Sequence, residues 1–468
     1  MVSPRHVVNG LRFAWTILTL WYERQIFVRS VGRCVWPNPG LNTPKAATVT
    51  HVLIVADPQI IDHRSYPDRA PVLTCITQLL VDLNLRRSWL SALRLRPDIV
   101  VFLGDMMDGG RYAMSNAEYE QYYARFQSIF SLDPHIPAYF IPGNHDTGKV
   151  TTLGKSNKFS SKAKRRYISH FGPLNSQVTI SNHTFFFIDA PSLAEEAVFG
   201  PSPGGTTEFV KGYYTQLHER DPLLLFTHIP LWRSEGTSCG PNREHGTIRQ
   251  GSGFGYQNTL GKPSSDLLLQ TLQPSLIFSG DDHDYCEVSH SFTIAGQPRQ
   301  AREVTVKSLS MVMNVRKPGF QLLSLVDPHL TQEISYSESL CLMPDQLGIY
   351  LSTYIPFLIL SLLAIVIANA FHRRGHARSR RRDQWATNNS SLPRPTSAHK
   401  SSDPDVYSWT FILMGQRRRL MLNTKYFKQW LGRSNENRGF VAGVLYDIRD
   451  VAWFPLFIFF WLAWWTFR

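Results

Sequence analysis

AYFIPGNHD, residues 138–146, is a short apolar run that ends abruptly in Asn, His and Asp. The same form recurs in HVLIVAD (51–57), DIVVFLGD (98–105), TFFFIDA (184–190), LLLFTHIP (223–230) and SLIFSGDDHD (275–284). Between the first two, residues 72–95 space their apolar side chains at helical intervals and stop before Pro97. Strands that read apolar on both faces are covered on both sides, so the pattern predicts a layered α/β domain. In open α/β sheets, ligands bind outside the carboxyl ends of the strands. Five of these ends carry Asp57 and Gln59; Asp105; Asn144 and His145; His228; and Asp281 and His283. A lone Asp after a strand is ordinarily a helix cap or a turn residue. Five such ends together point to one site, and oxygen donors mixed with imidazole suit Mn, Fe, Zn or Mg rather than copper or an iron–sulfur cluster.

The chain has 468 residues, 43% hydrophobic and 12% aromatic, which excludes a disordered protein and predicts one large domain with appendages. Its formal charge is +13, but fifteen Lys/Arg and only four Asp/Glu lie between 372 and 440, so nearly all the excess sits in one polar stretch. The rest is close to neutral, which argues against a nucleic-acid enzyme. Five irregularly spaced cysteines fit neither a small disulfide scaffold nor a zinc ribbon. Cys239 and Cys286 either pair in an oxidising lumen or leave Cys286 as a buried thiol.

Three segments approach membrane length. Residues 348–371 are 24 positions without a charge, read as a transmembrane helix. HRRGHARSRRR follows with six arginines, which assigns 372–440 to the cytosol and the preceding domain, 48–340, to a lumen. Residues 1–47 read as an uncleaved signal anchor and linker, and 441–468 as an aromatic transmembrane or interfacial helix. The stretch from 372 to about 405 reads as a disordered linker. Asn182 opens an Asn-His-Thr sequon, which agrees with a lumenal domain.

DPQ, LGD, PGNHD, THIP and SGDDHDY, in this order, resemble the five motifs of the calcineurin-like metallophosphoesterases. The resemblance implies a four-layer α/β/β/α sandwich, here with appended transmembrane helices, and a two-metal site. Asp57, Gln59 and His283 would hold one ion, Asn144, His228 and Asp281 the other, and Asp105 would bridge them. Gln59 stands where most relatives have His, and Asp281 where the first His of the last motif is expected; a register using Asp282 stays open. The added carboxylate hardens the second site and favours Mn or Mg over Zn, with Fe also compatible. Gln59, together with a lumenal domain followed by a membrane segment, is similar to the secretory-pathway enzymes that remove ethanolamine phosphate from glycosylphosphatidylinositol (GPI) anchors.

A phosphodiester repels hydroxide, and two cations about 3.5–4 Å apart neutralise it and supply a nucleophile near neutral pH. The resemblance makes His145 the general acid, with Asp146 able to orient it; Asp108 reads as a partner rather than a ligand. Arg233, Arg243 and Tyr256 are candidate contacts to a glycan phosphate or ordinary loop residues. His290 is either an outer ligand or a surface histidine. The expected activity is removal of an ethanolamine-phosphate branch from a GPI mannose by a multi-pass protein of the endoplasmic reticulum or early Golgi membrane. Its partners would be the membrane and a GPI-anchored protein or GPI glycolipid. The alternatives are a lumenal phosphoesterase acting on other nucleotide or lipid-linked phosphodiesters, and a degenerate GPI-protein sorting receptor.

Overall fold

The computed structural model describes residues 4–38, 48–148, 161–214, 221–253, 256–331, 334–388, 406–413, 416–423 and 439–468. Helix α1 (Pro4–Leu20) passes through a π-helical turn, Trp21–Gln25, into α2 (Ile26–Val31). The domain then runs β1 (Thr50–Val55), α3 (Pro71–Ala92), β2 (Ile99–Phe102), α4 (Asn116–Ile129), β3 (Ala138–Phe140), α5 (Asn144–Thr147) and α6 (Ser161–Phe171). Next come β4 (Ser176–Ile180), β5 (His183–Phe187), α7 (Ala190–Phe199), α8 (Thr206–Tyr214), β6 (Leu223–Phe226), and the short β7 (Ser252–Gly253) and β8 (Tyr256–Gln257). It closes with α9 (Lys262–Leu272), β9 (Leu276–Ser279), β10 (Cys286–Ile294), β11 (Gln297–Thr305), β12 (Gly319–Leu325) and β13 (Tyr336–Leu342). Beyond it, α10 (Gln346–Ile349) leads through a second π-helical turn into α11 (Ile355–Asn388), strands β14 (Val406–Leu413) and β15 (Gln416–Asn423) pair antiparallel, and α12 (Phe440–Thr466) follows. Local chemistry sets several starts: Pro71 opens α3, and the Ser115 and Asp189 side chains accept from the first turns of α4 and α7.

Two mixed sheets form the domain, in the orders β13-β12-β1-β2-β3 and β10-β11-β9-β6-β5-β4. β1, β2 and β3 run parallel in the first sheet and β11, β9, β6 and β5 in the second, as the doubly apolar runs predict, while β12 and β13 join the first sheet antiparallel. Alternate side chains of one strand serve different layers. Leu53, Val55, Val100 and Phe102 pack on Trp89 and Phe126 of α3 and α4, while Val52, Ile54, Val101 and Leu103 meet Phe185, Phe187, Phe226 and Phe278 of the second sheet. Phe186, Leu225 and Ile277 then face Leu193 and Leu268 of α7 and α9. The result is helix, sheet, sheet, helix.

Cα packing divides the chain into two units, one of residues 1–19 with 354–458, the other of 20–353 with 459–468. In the first, Val8, Ile365 and Val451 form a small apolar core. Arg12 donates to the Asp450 carbonyl at 2.8 Å, Trp15 to Ser361 at 3.1 Å, and Asn369 to Asp447 at 2.7 Å.

Of the three segments that approach membrane length in the sequence, one is long and apolar enough to span among the described residues: Gln346–Gly375, whose most apolar 18 residues have mean hydropathy 2.4. Arg12 interrupts α1, and Asp447, Arg449 and Asp450 interrupt α12. The arginine-rich segment expected to be linker is helical as far as Asn388, since Arg, Ala and Gln favour helix and no proline intervenes before 393. The remainder of that linker, 389–405, lies outside the described residues. Ser181 and Asn182, where the sequon begins, form the left-handed turn between β4 and β5, and the Asn182 amide donates to Asp327 at 3.0 Å.

Candidate metal centre

The carboxyl ends of β1, β2, β3, β6 and β9 meet at one place, which joins the ends of both sheets. Ligand atoms of Asp57, Asp105 and His283 lie within 4.8 Å of one another, and so do those of Asp105, His228 and Asp281. The two triads share Asp105, the arrangement of a bridged pair of ions. Gln59 lies against the shared group, its amide nitrogen 2.8 Å from Asp105 Oδ2, and Asn144 Oδ1 is 3.0 Å from His228 Nε2.

The backbone is bent to make this possible. Asp57, Gln59, Asp105, Asp281 and His283 all have φ between 36° and 68°, a left-handed region that costs a non-glycine residue of order 1–3 kcal/mol. Such a conformation turns each side chain away from the strand direction and into the site. Two motif glycines are required by close approach: a Cβ on Gly104 would strike the His228 imidazole, and one on Gly143 would strike the Asp105 carboxylate. His228 Nδ1 donates to the Leu103 carbonyl at 2.6 Å, which leaves Nε2 for an ion, 3.4 Å from both Asp105 and Asp281.

Asp57, Asp105, Gln59 and His228 are all but inaccessible to solvent. Burial, with Asp105 and Asp281 as like-charged neighbours, raises the Asp57 carboxyl well above the usual range against the pull of His228. At Asp105 burial opposes ionisation too, yet His228 and His145 hold it well below that range. Burial works against a charge on His228, but Asp105 and Asp281 raise its imidazole well above the ordinary value. Buried negative charge in excess of its local counter-charge, beside rings with a free nitrogen, fits divalent cations, which would take the place of that proton.

His145, the second residue of α5, stands beside this cluster. Its ring Nδ1 lies 2.7 Å from the Asp108 carbonyl and 3.1 Å from the Asp108 carboxylate, while Nε2 lies 4.0 Å from Asp105 Oδ2. Burial disfavours the charged ring, but Asp105 and Asp108 raise it to about 9, so it carries a proton at neutral pH. Asp146, the orienting group expected from the sequence, faces elsewhere: its carboxylate accepts from the amides of Gly143, Met107 and Met106 at 3.0, 3.2 and 3.4 Å. It fixes the loops that carry Asp105 and Asn144, and Asp108 orients His145.

The candidate substrate arginines are engaged elsewhere. Arg233 is buried, 2.8 Å from Glu303 and 3.2 Å from Cys286 Sγ, and its partner Glu303 also binds His290 at 2.5 Å. Arg243 forks onto Asp282, so Asp281 is the residue that reaches the ligand cluster and Asp282 anchors the loop behind it. Tyr256 belongs to the short β8. The sequence reading missed Arg111, half-buried, whose amide donates to the His145 carbonyl at 2.8 Å; its place three residues after Asp108 was the available signal. It also missed Ser65, bonded to Asp108, for which a single serine 43 residues upstream gives no signal. Cys239 and Cys286 form a disulfide, as do Cys34 and Cys341.

A family model, Calcineurin-like phosphoesterase, matches residues 50–285, which contain every residue of the two triads. Cell division control protein 1 of Saccharomyces cerevisiae is 33% identical over 406 residues, covering 83% of this chain and 80% of the relative. Metallophosphoesterase 1 of Xenopus laevis is 26% identical (69% of this chain, 80% of the relative), and that of Rattus norvegicus 27% (72% and 82%). The chain belongs to the calcineurin-like metallophosphoesterases and is a hydrolase of that family.

Proposed function

We propose that the protein is a membrane-anchored phosphodiesterase of the secretory lumen that removes an ethanolamine-phosphate branch from a mannose of GPI. The observation that carries the reading is the pair of ligand triads sharing Asp105, with the His145 ring beside them held by Asp108. Asp57, Gln59, His283 and Asp105 would hold one ion, and Asn144, His228, Asp281 and Asp105 the other. The oxygen-rich donor set favours manganese. When bound, the two cations neutralise the phosphoryl oxygens and supply a nucleophile near neutral pH.

The chain's own residues do the rest. The sugar oxygen that leaves phosphorus is strongly basic and takes a proton from His145 Nε2, while Asp108 accepts from Nδ1 and stabilises the imidazolium. Asp146 holds the Gly143, Met106 and Met107 amides, so His145 and Asp105 keep their separation.

The finer reading rests on Gln59 and on the order of domain and membrane segment. Two disulfides favour an oxidising compartment, and six arginines after the apolar helix favour a lumenal catalytic domain. Anchoring on the substrate's own surface raises effective concentration. A complete donor set speaks for turnover over a degenerate receptor.

The test is mass spectrometry of GPI glycans from cells lacking the protein, rescued by wild type or His145→Ala. A retained phosphoethanolamine that only wild type removes is the expected result. Purified protein with manganese that cleaves soluble phosphodiesters but no GPI glycan would overturn the substrate assignment and leave the hydrolase.

A further inference from the structure

Helix α3 has two faces. Val81, Leu85, Trp89 and Ala92 enter the core beneath the first sheet. The opposite stripe, at helical intervals, is Val72, Ile76, Leu79, Leu83, Arg86 and Arg87, with Leu73 at its edge.

The two halves of that stripe meet different surroundings. Leu83, Arg86 and Arg87 are buried. Arg86 donates to the Thr466 carbonyl at 3.0 Å, and Arg87 pairs with Glu23 and lies 5.8 Å from the Phe459 ring. Glu23 also receives Gln346, the first residue of the apolar span, at 3.3 Å. The C-terminal half of the stripe therefore sits on the turn after α1 and the end of α12, beside the first residue of the apolar span. Those ends carry an interfacial belt: Arg24 over Trp465 at 4.1 Å, Arg468 over Trp464 at 4.1 Å and Arg29 over Trp21 at 5.8 Å.

The N-terminal half of the same stripe is bare. Val72, Leu73, Ile76 and Leu79 expose 71%, 56%, 48% and 43% of their surface, a contiguous apolar patch. It begins about 10 Å along the axis from Arg86. Tyr66 and Arg69, stacked at 4.0 Å, stand just before it.

We propose that the lipid surface covers this patch: α3 lies on the lumenal leaflet with Val72, Leu73, Ile76 and Leu79 in the acyl–headgroup boundary. The inference rests on the reading that Gln346–Gly375 crosses the bilayer. Continuity decides the occupant, since one face of one helix joins the residues beside the start of the apolar span to the bare patch. The docked helix fixes the tilt of the catalytic domain and presents the strand-end site to a substrate held in the same leaflet.

The experiment uses the full chain in phosphatidylcholine vesicles carrying spin-labelled lipid. Cys75→Ser removes the free thiol, the other four cysteines being in disulfides. A fluorophore is then placed at Ile76→Cys, at Leu360→Cys within the span, or at Arg299→Cys on an exposed strand. Quenching at 76 by shallow labels and at 360 by deep labels, with none at 299, is expected. Quenching at 360 with 76 behaving like 299 overturns the docking and leaves the span intact. No quenching at 360 overturns the span and the docking together. Protection of 76 from both lipid-borne and aqueous quenchers means a protein surface covers it and also overturns the proposal. With Val72→Asp/Ile76→Asp, turnover of a lipid-borne phosphodiester should fall about tenfold while that of bis(p-nitrophenyl) phosphate is unchanged. Equal loss on both substrates would overturn it.

Discussion

Three carboxylates, Asp57, Asp105 and Asp281, crowd around the rings of His228 and His283 at the strand ends. On β11, by contrast, a single carboxylate, Glu303, is held by Arg233 and His290. Both groups are buried, and burial opposes ionisation in both. They part in what answers that cost. Arg233 and His290 bring Glu303 down to about 2, so it is charged and fully matched within the protein. At the strand ends burial, joined by the like charges of Asp105 and Asp281, pushes Asp57 up against the pull of His228, and balance requires cations from outside. A buried cluster with surplus negative charge marks a place for metal; a balanced one holds the fold together.

The sharpest way to break this contrast is Asp105→Asn. Removing the shared carboxylate should empty both sites and lower turnover by about a thousandfold or more, read by metal analysis and phosphodiester hydrolysis. A variant that kept two ions would dissolve the distinction.

Arg233→Met should do the reverse. It strips Glu303 of its main partner and should cost about 3–5 kcal/mol in chemical denaturation, with metal content unchanged. Adding Glu303→Gln should recover most of the loss, because the unmatched charge goes with it. Loss of metal in Arg233→Met would mean that the two clusters are not separate.

The smallest effect separates the clusters by pH in chelator-treated protein. His145 rises from 6.5 in the unfolded chain to about 9, so its contribution is complete below pH 6.5 and is lost as pH climbs through about 9. Glu303 falls from 4.5 to about 2, so its contribution is complete above pH 4.5 and is lost as pH drops toward 2. Denaturation midpoints should decline at both ends, and Glu303→Gln with Arg233→Met should shrink the acid limb, to which Asp105 also contributes, and leave the alkaline limb in place.

The ligand set was legible because each strand announces itself as an apolar run and stops at a polar residue, so chain order alone lines up Asp57, Asp105, Asn144, His228 and Asp281. The pairing of triads through Asp105 was legible only through the family resemblance. Arg233 and Arg243 misled, since nothing near them in sequence reveals Glu303 or Asp282, 70 and 39 positions away. Asp146 misled for a related reason: adjacency to His145 suggests contact, but successive residues at the start of a helix point apart, and Asp108 fills the role across a loop. The exposed half of α3 was hidden by its own hydrophobicity, because an apolar stripe reads the same whether protein or lipid covers it.

The Cys34–Cys341 bridge joins the segment after α2 to the last strand of the first sheet, across a sequence separation of 307. The chain thus enters and leaves the catalytic domain at one covalent knot. A force that pulls those two segments apart therefore passes from sulfur to sulfur rather than through the hydrogen bonds of β12 and β13.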